Sequence, residues 1–394
     1  MPGIREVVIT SACRTPVGSF GGSLSSLSAP QLGSIVVAEA VKRSTLDNDQ
    51  IDEVIMGCVL SAGIGQAPAR QAALFAGLRE TVETMTVNKV CGSGLKAVML
   101  ATQSIALGDA EIIVAGGMES MSNTPYILEK ARTGYRMGNA QLVDSMIKDG
   151  LWDVYNNYHM GNAAELCAKE CAVPREAQDE FSVMSYKRAL EAQKTGLFKD
   201  EIVPVSIPQK GSDPIVVTED EEPKKVKFEK ISSLKPAFQK DGTVTAANAS
   251  KINDGAAAVV LMSKQKADEL GLKPLARIVS YASAAKKPEW FTTAPADVIP
   301  KVLLKAGLKK EDIDLFEINE AFAVVNLAVN KLLGLDMNKI NVNGGAVALG
   351  HPIGASGARI LVTLLHAMRQ RNVKRGMAAI CIGGGEASGL IVER

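Results

Sequence analysis

Along this 394-residue chain, short apolar runs of strand length alternate with longer windows in which apolar residues recur at helical spacing. Arg5 to Thr10 reads as a strand, and Leu32 to Arg43 as a helix with alanine and valine on its inner face. LDNDQIDEVIMGCVLS, residues 46 to 61, gives a polar turn followed by a buried strand. The organising stretch is VNKVCGSGLKAVMLATQSIALGDAEIIVAGGMES, residues 87 to 120. It predicts a glycine-bounded turn carrying Cys91, then a helix from about Gly94 to Leu107. An apolar strand from Glu111 to Ala115 follows and runs into Gly116 and Gly117. The helix is apolar on nearly every side (Leu95, Val98, Met99, Leu100, Ala101, Ile105, Ala106), as suits a helix inside a large domain. From 121 to 248 the pattern breaks into charge and loops, and the run Glu219 to Lys230 reads as a solvated loop whose Lys224, Lys225 and Lys227 are available to phosphates. Regular alternation resumes near Asn253, and Leu275 to Ser280 reads as a strand.

The second half echoes the first. LKKEDIDLFEINEAFA (308 to 323) lays over LDNDQIDEVIMGCVLS with Asp314 on Asp52, an offset of 262. SGARILVTLLHAM, from Ser356, lays over SGLKAVMLATQSI, from Ser93, an offset of 263. AAICIGGGE, ending at Glu386, lays over EIIVAGGME, ending at Glu119, with a few residues inserted between. Three matches in one order at nearly one offset argue for duplication. The expected fold is α/β: two halves related by a pseudo-twofold axis, each built around a strand, helix, strand, helix, strand unit within a five-stranded, mostly parallel sheet with helices on both faces. The expected organisation is an N-terminal half from residues 1–120 completed by about 249–270, an inserted loop domain at 121–248, and a C-terminal half at 271–394.

Composition narrows the class. Hydrophobic content of 46% and mean hydropathy of +0.09 give a well-filled globular core. Lys+Arg 44 against Asp+Glu 43 gives no global pull toward nucleic acid or an anionic membrane, and 4% aromatic content offers no base-stacking pattern. No signal peptide, transit segment or apolar run of membrane-spanning length is read, so a cytoplasmic location is expected. Six cysteines (Cys13, Cys58, Cys91, Cys167, Cys171, Cys381) are too sparse for a disulfide scaffold, and no metal site is expected.

Cys91 at the mouth of a helix is the first candidate nucleophile, because unpaired N–H groups and the helix dipole favour thiolate there. The alternative is a small buried hydrophobe. Under the duplication, position 91 corresponds to about 354, in the loop NGGAVALGHPIGASG (343 to 357), which contains His351. Of three histidines (His159, His351, His366), His366 reads as structural within its helix, whereas His351 could accept the Cys91 proton. Cys381 ends a strand before Gly383, Gly384 and Gly385, where open α/β sheets place ligand sites and backbone N–H groups can approach an oxyanion. Neither GxGxxG after the first strand nor GxxxxGKS occurs, so no dinucleotide or P-loop site is read.

VCGSG with Cys91, NEAFA with Asn319, GGAVALGHPIGASG with His351 and CIGGG with Cys381 together resemble the thiolases, in their order and spacing. HMG at 159 to 161 and NASKINDGAA at 248 to 257 extend the resemblance over essentially the whole chain. It is closest to the biosynthetic type, which condenses two acetyl-CoA into acetoacetyl-CoA and CoA. The resemblance implies that Cys91 is acylated, that His351 takes its proton, and that Cys381 removes the α-proton of the second acetyl-CoA. It implies one oxyanion hole from His351 and a water held by Asn319, and another from the N–H groups of Cys91 and Gly383. For coenzyme A, the co-substrate, it points to Leu151, His159, Met160, Phe238, Ala249, Ser250, Ala321 and Phe322, with Met160 favouring short acyl groups. No tightly bound cofactor and a homotetramer are implied.

Pro223 and Lys230 stand where the resemblance would place an arginine and a serine near the CoA nucleotide, and Glu386 and Ala387 replace Met-Gly. A guanidinium's two-pronged grip on phosphate is not reproduced by lysine. The rival within the same chemistry is a degradative 3-ketoacyl-CoA thiolase of broader chain length. The rival from another class is a non-catalytic acyl-CoA or lipid-binding protein, which predicts loss of at least one of Cys91, Asn319, His351 and Cys381.

Overall fold

In a computed structural model, residues 4–394 are described. Nine strands form the main sheet: β1 (Val7–Arg14), β2 (Glu53–Gly57), β3 (Glu83–Val87), β4 (Ile112–Ser120), β5 (Asn253–Ser263), β6 (Ala276–Ala285), β7 (Leu315–Ile318), β8 (Arg375–Ile382) and β9 (Glu386–Glu393). The two-residue strand Gly18–Ser19 attaches to β5 and completes a ten-stranded sheet among the described residues. The order is β7-β8-β9-β6-β1-β5-β4-β2-β3. The principal helices are α1 (Ala29–Arg43), α2 (Pro68–Phe75), α3 (Ser93–Leu107), α4 (Met160–Glu170), α5 (Arg175–Lys194), α6 (Pro295–Ala306), α7 (Ala323–Leu333) and α8 (Ile353–Gln370).

Apart from the edge strand β3 and the outer part of β6, the strands are buried on both faces, and their alternation sorts side chains into three cores. In β4, Ile113 and Ala115 face a central core with α3 and α8, while Ile112 and Val114 face α1 and α2. In β8, Ala378 and Ile380 face the central core, while Met377, Ala379 and Cys381 face α6 and α7. The order of layers is therefore helix, half-sheet, helix, half-sheet, helix, with α3 and α8 packed together in the middle. By length and composition the stretch Val90–Leu107 is apolar enough to cross a membrane (18 residues, mean hydropathy 1.3), contrary to the expectation that no run reaches that length. Its apolarity has another cause here, since this central helix packs between the two halves of the sheet.

The α/β class, the duplication and the helices on both faces are as expected, but the sheet is mixed rather than mostly parallel. Parallel pairing holds at the outer strands, β2 with β3 and β4, and β7 with β8. The inner pairs are antiparallel. β9 follows β8 through a tight turn at Gly383–Gly385 and can only run back beside it, and β5 returns from the middle segment in the same sense. The N-terminal half has five main strands. In the C-terminal half the fifth position shrinks to an isolated bridge between Phe316 and Ile340.

The ladder also corrects the third repeat match. Ile55 pairs with Ala115 and Glu317 with Ala378, so the halves stay 262 to 263 residues apart throughout and Glu119 corresponds to Ile382, not Glu386. The two glycine runs answer different needs. Gly116 and Gly117 lie inside β4, which extends past Ala115 to Ser120, because a Cβ on either would fall 2.1 Å from the carbonyl of Ala257 or Gly354. Gly384 and Gly385 take positive φ in the turn.

Between Ser120 and Asn253 the chain leaves the sheet for α4, α5 and short irregular pieces. The charge run there is not wholly solvated. Asp220 is buried and accepts two hydrogen bonds from Arg14 of β1 (2.7 and 2.9 Å), and Arg14 also donates to buried Glu201 (2.6 Å). This enclosed ion cluster fixes the middle segment to the sheet, and removing one member would leave an uncompensated charge at a cost of about 3–5 kcal/mol.

Candidate active site

Cys91 stands in the turn between β3 and α3. Val90 before it has φ of 45°, uncommon for a branched residue, and hydrogen bonds hold the turn: Ser93 Oγ donates to Val90 O (2.6 Å) and accepts from Lys89 N (2.8 Å). The Lys89 ammonium pairs with Glu386, which ties this turn to the glycine loop after β8. That pair accounts for the carboxylate at 386.

The N–H groups of Gly383 and of Cys91 itself face the Cys91 sulfur. Even so, burial pushes its thiol up to about 11, contrary to the expectation of a lowered value at a helix mouth. Desolvation of a thiolate in this apolar pocket outweighs the two N–H groups. His351 is also neutral at rest, because burial and the nearby Arg359 charge bring it down to about 3. Ser356 Oγ donates to Pro352 O (2.8 Å) and therefore accepts from His351 Nδ1 (2.6 Å). The proton is thus assigned to Nδ1, and Nε2 carries a free lone pair with no hydrogen-bond partner among the described residues. A neutral thiol and a neutral imidazole with an unpartnered Nε2, lining one cavity, form a pair in which proton transfer can accompany attack.

A cavity of about 240 Å³ brings together Cys91, Leu151, His159, Met160, Phe238, Ala249, Ser250, Ala321, Phe322, His351 and Gly383. Asn319 and Cys381 do not line it but are buried close behind. Cys381 is near enough to Cys91 for their charges to interact, the Ala321 N–H faces its sulfur, and burial raises its pKa. Asn319 follows β7, and neither polar atom of its side chain has a partner among the described residues. One wall is aromatic. His159 stacks on Phe238 at 4.8 Å, and Phe322 meets Phe238 and Phe291 edge-on at 6.2 and 6.3 Å. His159 Nδ1 accepts from Gly161 N (3.0 Å), so its Nε2 carries the proton and is a donor. Met160 lies against Gly383, so its thioether narrows the space beside Cys91. Pro223 is buried and Lys230 exposed, and neither lines this cavity.

Residues 7–265 match the family model of the thiolase N-terminal domain and residues 272–394 that of the thiolase C-terminal domain. The chain belongs to the thiolase family. It is similar to the acetyl-CoA acetyltransferase of Cupriavidus necator, with 58% identity over 99% of this chain and 100% of that one. Among solved structures it resembles the Bacillus anthracis acetyl-CoA acetyltransferase (TM-score 0.98, 44% identity, all of both chains). It also resembles a thiolase from Ascaris suum in complex with coenzyme A (TM-score 0.94, 48% identity, 99% of this chain and 100% of that one).

Several residues of this thiolase site escaped the sequence reading. Met121, Gly150, Lys251, Ile252, Phe291 and Ile353 also line the cavity. Ser356, which orients His351, was recoverable, since it sits one helical turn beyond the histidine loop in the same motif. Glu119 was not. Its buried carboxylate accepts from the backbone N–H groups of Val59 and Leu60 (both 3.1 Å) and Gly354 (2.8 Å), joining the two halves beneath the site.

Proposed function

We propose that this thiolase is an acetyl-CoA acetyltransferase, joining two acetyl-CoA into acetoacetyl-CoA and CoA and running the reverse thiolysis at the same site. What supports this reading is the narrow cavity lined together by Cys91, by His351 with its unpartnered Nε2, and by Met160 against Gly383, with Cys381 buried close enough to Cys91 for their charges to interact. Cys91 Sγ attacks the thioester carbonyl while His351 Nε2 takes its proton. The bond to the CoA sulfur breaks, and CoA leaves with the proton of Cys381, whose thiolate remains while His351 keeps the proton from Cys91. The Cys381 thiolate then removes the α-proton of a second acetyl-CoA, the enolate carbon attacks the acyl carbon on Cys91, and the Cys91 sulfur departs, taking its proton back from His351. The N–H groups of Cys91 and Gly383 receive the oxygen of the acylated cysteine. His351 and a water on the Asn319 amide receive the enolate oxygen. Each such donor is worth about 3 kcal/mol of transition-state stabilisation.

Coenzyme A enters as co-substrate along the wall of Leu151, His159, Phe238, Ala249, Ser250, Ala321 and Phe322, and the middle segment serves as its binding domain. The apolar and aromatic lining suits a pantetheine arm. A cytoplasmic homo-oligomer, tetrameric by family resemblance, is part of the proposal. What supports assembly is the exposed apolar set Phe75, Met85, Tyr126, Met137 and Leu142, near or on the edge strand β3 and in the middle segment.

The test is CoA-dependent thiolysis of 3-ketoacyl-CoA substrates from acetoacetyl-CoA to a long-chain member. A sharp preference for acetoacetyl-CoA is expected. Equal or faster rates on longer chains would assign the protein to degradative thiolysis instead.

A further inference from the structure

The side chain of Lys251 is the charged one among the described residues that line the cavity, apart from the neutral His159 and His351. It is half-buried, and its position is unusual. The ammonium donates to the carbonyl of Ala249 (2.8 Å) and to that of Val347 (3.3 Å), and it lies over the ring of Tyr186 at 5.6 Å. These three partners belong to separate parts of the chain. Ala249 is in the cavity wall, stitched to the other half by the Ala249–Phe322 bridge and by Ser250 N donating to Ala321 O (3.0 Å). Val347 is in the short helix Ala346–Leu349, which leads directly into His351. Tyr186 is on α5 of the middle segment. The carboxylates whose charge reaches the ammonium are Glu222 and Glu320, and burial lowers its pKa to about 8. Glu320 itself accepts from Val347 N (3.1 Å) and from Ser185 Oγ (2.7 Å).

A lysine bonded to solvent would leave these carbonyls to water. Here one cation satisfies two carbonyls and a π-face at the joint between the segment that would seat coenzyme A and the segment that holds the base. We propose that Lys251 is a positioning residue: its ammonium is an internal cation that clips the 249–251 wall to the 346–351 loop and sets the thioester's seat against His351 Nε2. The clip touches no reacting atom. It rests on the thiolase reading of the cavity given above, and it predicts that charge and N–H donation, not the bulk of the lysine stem, carry the effect.

The experiment measures acetoacetyl-CoA thiolysis by the full chain and by Lys251→Ala and Lys251→Gln. Each is assayed at matched ionic strength in sodium, methylammonium and tetramethylammonium chloride. Methylammonium can donate N–H to the vacated carbonyls, whereas tetramethylammonium carries the same charge with no donor. Lys251→Ala is expected to lose roughly ten- to a hundred-fold in kcat, the scale of a misplaced reacting group. Methylammonium should restore part of that loss and tetramethylammonium should not. Lys251→Gln keeps a donor without the charge and should remain impaired. Should Lys251→Ala fail to fold, the Gln variant carries the comparison, and full activity there overturns the role of the charge. Unchanged kcat and KM in both variants, or a loss that the two ammonium ions relieve equally or not at all, would reduce Lys251 to packing and overturn the proposal. A parent chain with no thiolysis activity would overturn the function proposed above along with it, whereas an active parent with indifferent variants tells against Lys251 alone.

Discussion

Gly94 in the first half of the duplication and Gly357 in the second do the same work from opposite sides. A Cβ on Gly94 would lie 2.7 Å from Ala358 N, and a Cβ on Gly357 would lie 2.4 Å from Leu95 N. The two central helices thus cross on glycines related by the same 263-residue offset as the strands. The loops just ahead of them could hardly differ more. One is a tight turn presenting Cys91. In the other, Gly354 occupies the equivalent position and donates its N–H to Glu119, while His351 hangs from a longer loop. Both halves must bury equivalent faces against one another, which keeps the helix crossing alike. From these two loops only one nucleophile and one imidazole are needed, which leaves them free to differ.

The largest way to break that asymmetry is at Cys91. If it alone carries the acyl group, Cys91→Ser should abolish trapping of radiolabelled acetate on the protein, whereas Cys381→Ala should still acquire label while losing turnover. Label persisting on the Cys91→Ser protein would remove the nucleophile from the first half. An unlabelled Cys381→Ala protein would mean that the two thiols do not divide the reaction as proposed.

The shared crossing makes a second, structural prediction. Gly94→Val and Gly357→Val each force side-chain atoms into backbone of the facing helix, which cannot swing aside as a flexible side chain would. Each should lose about 3 kcal/mol or more, at the upper end of overpacking costs. Chemical denaturation midpoints of the two variants should fall together. If one variant were tolerated and the other not, the crossing would be asymmetric in energy despite its matching geometry.

What the sequence could and could not reveal follows the same division. The repeated helices and the Asp52 and Asp314 turns were legible because equivalent burial leaves equivalent apolar spacing. The glycine runs misled because glycine recurs for unrelated reasons: close strand approach at Gly116 and Gly117, a positive-φ turn at Gly384 and Gly385. The cysteine, histidine and asparagine of the site stand in recognisable local motifs, so they could be named before any fold was known. The contacts of Asp220, and of Lys251 within the NASKINDGAA motif, could not. A charged residue in a polar run reads as solvated, and nothing local announces Arg14, 206 positions away, or the carbonyl of Val347, 96 positions away. The resting state of Cys91 was misjudged for a related reason, since helix position is visible in sequence and desolvation is not.

The smallest effect gives the sharpest comparison. Asp52 Oδ2 accepts from the N–H groups of Glu111 and Ile112 at 2.8 and 2.9 Å, and Asp314 Oδ2 accepts from those of Lys374 and Arg375 at 3.0 and 2.8 Å. Each aspartate also donates its own N–H, at 3.0 Å, to the second of those residues. Two partly buried donors lose a charged acceptor in either Asp52→Ala or Asp314→Ala, so each should cost about 1–3 kcal/mol, while thiolysis by the folded fraction stays unchanged. Asp→Asn at either site keeps one acceptor oxygen and should cost less. Because the geometry is the same at both ends of the duplication, the two alanine variants should agree with each other more closely than either agrees with any general value. A clear inequality between their denaturation midpoints would show that equivalent hydrogen bonds have come to bear different loads in the two halves, even where sequence and geometry have stayed the same.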